Sequence, residues 1–534
     1  MLRSNFHLLD LPNEILLIIL KKLDNIDVLY SLSGINNERL DILAQQKIFT
    51  NILNFVPALT DDVYSIPASI LDRFCFDILP RVHYNVKCLI LDSVHMTRIL
   101  LAADYPCLGQ LKFFNFSQDI ALSYFTDQSS FQHIFRQQIT DLSLICNEDT
   151  SKTSVKSYAK NIYRHILTLF KNLTHLSIIK LAGGQYECQP LSLSNLSLSS
   201  FSSSTLTNLS ISLNSIEDCL SLLDGRLKQL STLIIIVYGT QNHSMLDHNM
   251  VDVSNLKCFS LTYKWIEAYD AQVVPLLRRM SHLEELTLYL CIYNRSIFVD
   301  GTHLYNEILI HMPQLRTFIF YIRTKIDIGN SIHQLSVNDI QQTFNKIQCQ
   351  EVGCILNYNS VTSICHVFSL PFSFDCLEWI GNTFPNITFN HVTFLKVFDS
   401  VVFKHEFFIR VARSFPLLKE FFVINCTSQF LFWKRKNLQF QDSQSYSIVE
   451  FSHLTSLNIS HAEIDYVEQF LNSTKTSLPC LTKLEVNYDN LIYVTENFTR
   501  DATRVNCSKV KWLIVERSIV YLKDIHHYFP SLQM

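Results

Sequence analysis

Glycine is scarce, with 10 in 534 residues. Folds that cradle phosphates in glycine-rich turns are therefore not expected. The sequence contains neither G-x-G-x-x-G nor G-x-x-x-x-G-K, and no G-x-S-x-G elbow for a serine nucleophile. An excess of either charge is also missing. The 44 Lys and Arg against 48 Asp and Glu leave a net charge of −4, too little to draw the chain to nucleic acid or an anionic membrane. The short basic run Lys434, Arg435 and Lys436 reads as a solvated loop.

The 15 cysteines contain no C-x-x-C pair. The closest two, Cys349 and Cys354, have no His or Cys pair nearby to complete a zinc site. An odd count without a secretory signal predicts reduced, buried thiols and a cytoplasmic or nuclear location. Asp10, Pro12 and Glu14 interrupt the N-terminal apolar stretch as a signal peptide, and no apolar run is long enough to span a bilayer.

What the chain has is a recurring aliphatic-x-x-aliphatic-x-aliphatic pattern. It occurs at Leu173, Leu176 and Ile178, at Leu206, Leu209 and Ile211, and again from Leu230, Leu256, Leu283, Leu315, Leu418, Leu454, Leu481 and Val510. Weaker copies start at Val86, Leu108, Ile139 and Val392. The last two aliphatics of each copy alternate as in a short inward-facing strand. Helical stretches are expected at 158–170, 271–280, 303–311, 405–415 and 465–471. Pro313 and Pro416 mark the exits of two of them. The interval from Leu315 to Val392 is expected to hide one or two degenerate units near Cys365 to Phe368. Residues 192–204 read as a distorted repeat, and 241–249 and 439–447 as mobile insertions. Period and pattern resemble leucine-rich repeats, irregular and on the long side for that family. The resemblance implies a solenoid with parallel strands on the concave face and helices on the convex one, since a single unit cannot bury its own aliphatics.

The N-terminal stretch Leu11, Pro12, Asn13, Glu14, Ile15, Leu16, Leu17, Ile18, Ile19, Leu20, Lys21, Lys22, Leu23 predicts a helix with proline in its first turn, Asp10 ahead as a cap and Glu14 near the positive end of the dipole. Six consecutive apolar residues, Ile15 to Leu20, wrap more than one turn, so this helix needs apolar partners on two sides. With Asp27, Val28 and Leu29 opening a second helix, the segment resembles the F-box, the adaptor-binding module of cullin–RING ubiquitin ligases. Where that family often has a Val-Cys step and then a Trp, this chain has Gly34, Ile35 and then Asn37 to Leu40. The resemblance implies that Leu11, Pro12, Ile15, Leu16, Ile19, Leu23 and Leu29 bury against the adaptor.

A catalytic constellation is not expected. Lys404, His405 and Glu406 begin like a zincin helix, but Ile409 stands where the second His would be. His526 and His527 have no carboxylate or Cys partner at ligand spacing. Side chains between the buried strand positions face the concave side. They include Phe114, Glu285, Thr287, Tyr289, Tyr321, Phe394, Phe398, Phe422, Asn458, Lys483, Glu485, Trp512 and Glu516. Rings interleaved with polar groups are what protein interfaces use. Tyr289, Tyr321, Phe422, Lys483, Glu485, Trp512 and Glu516 are therefore the expected target-binding residues.

The expected architecture is α/β. A helical F-box at 1–50 leads through a helical connector at 51–80 to an irregular leucine-rich-repeat-like solenoid at 81–534. The expected function is that of a substrate receptor in a cullin–RING ubiquitin ligase, a non-enzyme. Its partners are the adaptor, the cullin and a target protein, and it needs no cofactor, metal, nucleic acid or membrane. Two alternatives stay open: a repeat scaffold with a helical cap and no link to ubiquitin, and an enzyme with an unrecognised site.

Overall fold

The computed structural model describes residues 8–56, 66–116, 120, 123–125, 130–146, 166–167, 169–180, 202–239, 255–327, 335–347, 351–358, 361–399, 401–425, 447–516 and 525–532. The chain is α/β, with a large, mostly parallel sheet and helices. It forms two compact units, one of residues 1–287 and 311–317, the other of 288–310 and 318–534.

The first unit opens with four short helices: α1 (Asn13–Leu20), α2 (Asn25–Leu32), α3 (Glu38–Ala44) and α4 (Lys47–Thr50). Strand β1 (Ile52–Asn54) follows, then helical turns through Ala68–Arg73 and Leu79–Val82. Next come β2 (Cys88–Asp92), β3 (Gln110–Phe114), β4 (Asp141–Cys146), β5 (His175–Lys180), β6 (Asn208–Leu213), β7 (Thr232–Val237) and β8 (Cys258–Ile266). Each pairs in parallel with the next in chain order. Alternation puts Leu89 and Leu91, Leu209 and Ile211, Leu233 and Ile235 in the core.

One hydrogen-bonded node repeats at the foot of these strands. The carbonyl of Thr140 accepts from the amides of Thr174 and His175, at 2.9 and 3.0 Å. That of Thr174 accepts from Thr207 and Asn208, and that of Thr207 from Ser231 and Thr232. The hydroxyls of Thr174, Thr207 and Ser231 donate to the same carbonyls at 3.0 to 3.1 Å. These hydroxyls occupy the position after the first aliphatic of each pattern.

Strands β9 (Glu285–Ile292) and β10 (Thr317–Asp327) follow, and the two units divide within β9. In the second unit β10 pairs antiparallel with β12 (Thr362–Ser369), which pairs antiparallel with β11 (Val352–Tyr358). The expected location of a degenerate unit near Cys365 to Phe368 is corrected, since that stretch is an antiparallel pair laid beside β10, and the parallel strand this interval does hold lies further on, at Cys376–Ile380. Gly353 sits opposite Phe368, where a Cβ would overlap the ring.

A separate parallel sheet then runs through β13 (Cys376–Ile380), β14 (Phe394–Asp399), β15 (Glu420–Asn425), β17 (Ser456–Ile459), β19 (Lys483–Val486) and β20 (Trp512–Ile514). The two-residue strands β16 (Val449–Glu450) and β18 (Thr476–Ser477) pair apart from it. The same node returns. The carbonyls of Asp375, Thr393, Lys419, Thr455 and Thr482 each accept two amides of the following strand.

Helices fall at Tyr269–Arg278, Gly301–Glu307, His405–Ser414 and Ile464–Leu471, close to the expected spans. Most of 158–170, all of 241–249, most of 192–204 and of 439–447, and Lys434 to Lys436 lie outside the described residues. At the C-terminal end the helix Ile525–Tyr528 packs back on the core. Ile525, Tyr528 and Phe529 are buried, and Tyr528 lies 5.6 Å from the Phe498 ring.

Strand pairing begins at β1, inside the segment expected to be a helical connector, because three residues are too few to show alternation.

The node predicts a stability effect. Thr482→Val keeps shape but removes the hydroxyl that donates to the Thr455 carbonyl at 3.2 Å. A loss of about 1 kcal/mol is expected, measured as a lower denaturant midpoint with an unchanged far-ultraviolet spectrum.

Candidate functional site

The N-terminal helices divide their apolar residues between two sides. In α1, Leu16 and Leu20 are four apart and buried. Ile15, Ile18 and Ile19 stand on the other side, 41%, 56% and 41% exposed, and Leu23 just beyond is 53% exposed. Pro12 precedes the helix at the N-cap position in extended conformation, with no side-chain cap, so the helix starts at Asn13. Val28 and Leu29 of α2 and Leu43 and Ala44 of α3 complete the interior.

Of the residues expected to meet an adaptor, Pro12, Ile15, Ile19 and Leu23 are exposed and Leu11 is half-buried. Leu16 and Leu29 are corrected, as both are buried inside the bundle at 2% and 0% exposure and offer nothing to a partner. Leu8, Leu9, Ile18 and Ile42 are exposed and were not singled out. Ile18 follows Ile15 by three residues and could have been found by that spacing. The motif itself leaves its position unspecified.

The other side of the module is seated on the start of the sheet. Asn25 Nδ2 donates to the Ile52 carbonyl at 2.9 Å, on the edge of β1 that has no strand neighbour among the described residues. Arg73 Nη2 donates to the Ser33 carbonyl at 3.0 Å and stacks over the Tyr30 ring at 4.6 Å. Phe74 meets Tyr30 on one side and Phe55 edge-on at 5.2 Å on the other.

The second expected surface lies on the six-stranded sheet. Register places Lys483 beside Trp512, and Glu485 between Asn458 and Ile514. Phe422 lies between Lys396 and Asn458 in register, with its ring 5.0 Å from Phe394. Lys483, Glu485, Trp512 and Phe422 are half-buried, and Glu516, two residues past β20, is exposed.

Tyr289 and Tyr321 are corrected, because both are buried in the core of the second unit, 4.6 Å apart. The segment around Phe372, Phe374 and β13 packs over the face they were expected to leave open, with Phe374 edge-on to Tyr289 at 5.3 Å. Phe398 and Asn458 are also buried, and the Asn458 side chain accepts from Ser460.

Beside these tyrosines lies a buried polar cluster. Arg323 Nη2 donates to the Tyr293 hydroxyl, and Nη1 lies 3.7 Å from the Glu378 carboxylate. His366 faces Arg323 across the β10–β12 register. Its Nε2 lies 3.2 Å from the Trp379 carbonyl, which can only accept, so Nε2 carries the proton. Nδ1 then accepts from the Tyr321 hydroxyl at 2.9 Å. Burial, with the positive charge of Arg323 alongside, lowers the His366 pKa to about 3. Burial likewise raises both tyrosine hydroxyls well above their ordinary range, so the cluster is held by neutral rings around one cation and one carboxylate.

Among the described residues no group of three or more His, Cys, Asp or Glu could hold a metal ion, and the eleven cysteines whose side chains are described are free thiols. No described helix is long and apolar enough to cross a membrane. No protein-family model matches the chain, and no curated protein is significantly similar to it.

The cluster predicts a pH dependence. The unfolded histidine takes up a proton near pH 6.5, and the folded one only near pH 3. The stability from this group is present above pH 6.5 and is lost as pH falls from 6.5 toward 3. The denaturant midpoint of His366→Gln, compared with the parent between pH 7 and 4.5, should fall less steeply on acidification.

Proposed function

We propose that this chain is a substrate receptor of a cullin–RING ubiquitin ligase, built from an F-box and a leucine-rich-repeat-like solenoid. The observation that carries the reading is the exposed stripe Ile15, Ile18, Ile19 and Leu23, on a helix whose opposite side is already buried through Leu16 and Leu20. An apolar face of this kind on a short helical module is a protein-binding surface, and the sequence around it resembles the F-box. The adaptor covers the stripe and links the chain to the cullin in the cytoplasm or nucleus. The repeat-like part holds a target protein, and the chain itself performs no chemistry. It raises the effective concentration of a target lysine near a ubiquitin-conjugating enzyme.

The burial pattern dictates the test. Leu16→Asp would disrupt the bundle itself, so the informative variants are Ile18→Asp and Ile19→Asp, which put a carboxylate on the exposed stripe. Either should abolish co-purification of adaptor and cullin from a native lysate while the thermal midpoint stays within a few degrees of the parent. Recovery equal to the parent's would rule the reading out.

A second reading is a repeat scaffold whose helices serve only as a cap. Its support is the seating of the module on β1 through Asn25, Arg73 and Phe74. The cap role needs no exposed stripe, so the same variants separate the two.

For the target surface we retain Phe422, Lys483, Glu485, Trp512 and Glu516. A ring flanked by both charges follows the pattern of interface hot spots. Trp512→Ala should weaken target capture while adaptor binding stays unchanged. Unaltered target recovery at unaltered stability places the target site elsewhere.

A further inference from the structure

The lead-in to α1 is fastened by one side chain from α3. Arg39 Nη1 donates to the Leu9 carbonyl at 2.8 Å, Nη2 to the Leu11 carbonyl at 2.5 Å, and Nε to Asn13 Oδ1 at 2.7 Å. All three donor directions of the guanidinium thus converge on five consecutive residues. The two carbonyls precede α1 and so have no place in its hydrogen-bond ladder.

Arg39 is also misplaced by the rule for its own helix. It is the second residue of α3, one position after Glu38 and two after the cap Asn37. A cation there opposes the helix dipole. Its neighbours serve the local turn: Asn37 accepts from the Leu40 amide, and Asp41 accepts from the Gly34 amide. Arg39 instead reaches across to the lead-in. That segment carries Leu8 and Leu9, 56% and 44% exposed, and it leads directly into α1, whose exposed stripe begins at Ile15.

We propose that Arg39 is a positioning residue for the adaptor surface. It fixes the segment Leu8–Pro12 before binding, so that Leu8 and Leu9 extend the Ile15, Ile18, Ile19 stripe as one preformed face. The inference rests on the adaptor reading above and adds a determinant that the F-box-like motif does not contain. A lysine cannot replace it, because one ammonium on a flexible stem does not reach three separated acceptors in a fixed fork.

The test uses the full chain, purified adaptor and titration calorimetry. Arg39→Ala and Arg39→Lys should each weaken adaptor binding roughly tenfold, the size expected when a preordered segment must be ordered on binding. Amide exchange at Leu9, Leu11 and Asn13 should rise while the thermal midpoint stays near the parent's. A merely structural role is separated by a cycle. In a Leu8→Ala, Leu9→Ala background, Arg39→Ala should change the adaptor affinity less than about twofold, because the groups it positions are gone. An undiminished effect in that background overturns the proposal. So does an unchanged affinity in both Arg39 variants when Ile18→Asp abolishes binding, and the receptor reading then still stands. If Ile18→Asp binds like the parent, the receptor reading falls and this proposal falls with it.

Discussion

The constraint on which the rest depends is that the described strands of the parallel progression share their feet with their neighbours. At the starts of β1 to β9, β13 to β15, β17 and β19 a single carbonyl accepts two amides at the foot of the next strand in the sheet, as Thr140 does from Thr174 and His175, and Thr455 from Thr482 and Lys483. A buried carbonyl or amide left without a partner costs as much as a lost hydrogen bond, so each unit needs the next one in fixed register. Where the pattern supplies Thr or Ser at that position, a hydroxyl adds a third donor. The same constraint makes the open edge of the first strand a liability. Asn25 of α2 meets it by donating to the outward carbonyl of Ile52.

Where the parallel progression stops, the chemistry changes. On β10, β12 and β13 the face opposite the pattern's inward positions is packed as well, and it carries Tyr321, Arg323, His366 and Glu378. Buried charge is stabilising only when paired and hydrogen-bonded, and here the partners come from β10, from β13 and from Tyr293 just past β9. Arg323 needs Tyr293 and Glu378, and His366 needs Tyr321 and the Trp379 carbonyl. A shift of one residue in any of these strands would break the set, so the cluster fixes the register of the antiparallel turn-back and of the sheet that begins beside it.

Much of the fold could be read in the sequence, and the reason is the node. Every aliphatic pattern, strong or weak, became a strand beginning two residues after its first aliphatic, as β5 does after Leu173 and β14 after Val392. What could not be read depends on contacts distant in sequence. Nothing local announces that Tyr289 lies under Cys376, whose carbonyl its hydroxyl reaches across 87 positions at 3.4 Å. Alternation alone assigned Tyr289 and Tyr321 to an open face, and the overlying segment made that face core. The hairpin of β11 and β12 was missed because an antiparallel pair carries no node and hence no pattern. In α1 the difficulty is of another kind. Six consecutive apolar residues have no period, so the sequence states that two sides are apolar without saying that Leu16 is inside and Ile18 outside.

The two candidate surfaces are not equivalent in what contact with a partner would gain. On the six-stranded sheet the large groups already lie against neighbours: Phe422 against Phe394, and Lys396 over the Trp379 ring at 4.6 Å. Their remaining exposure is partial and mixed in charge, so selectivity there has to come from arrangement more than from area. On α1 the stripe is apolar and largely uncovered. Completing the burial of Ile15, Ile18, Ile19 and Leu23 would contribute about 1 kcal/mol each. Together that is on the order of 4 kcal/mol, about a thousandfold in a binding constant. That margin is comparable to the net stability of a small domain, and in the free chain it is unrealised. The strongest physical statement the molecule makes about function is therefore at its N-terminal helices, and the choice between receptor and scaffold turns on what covers them.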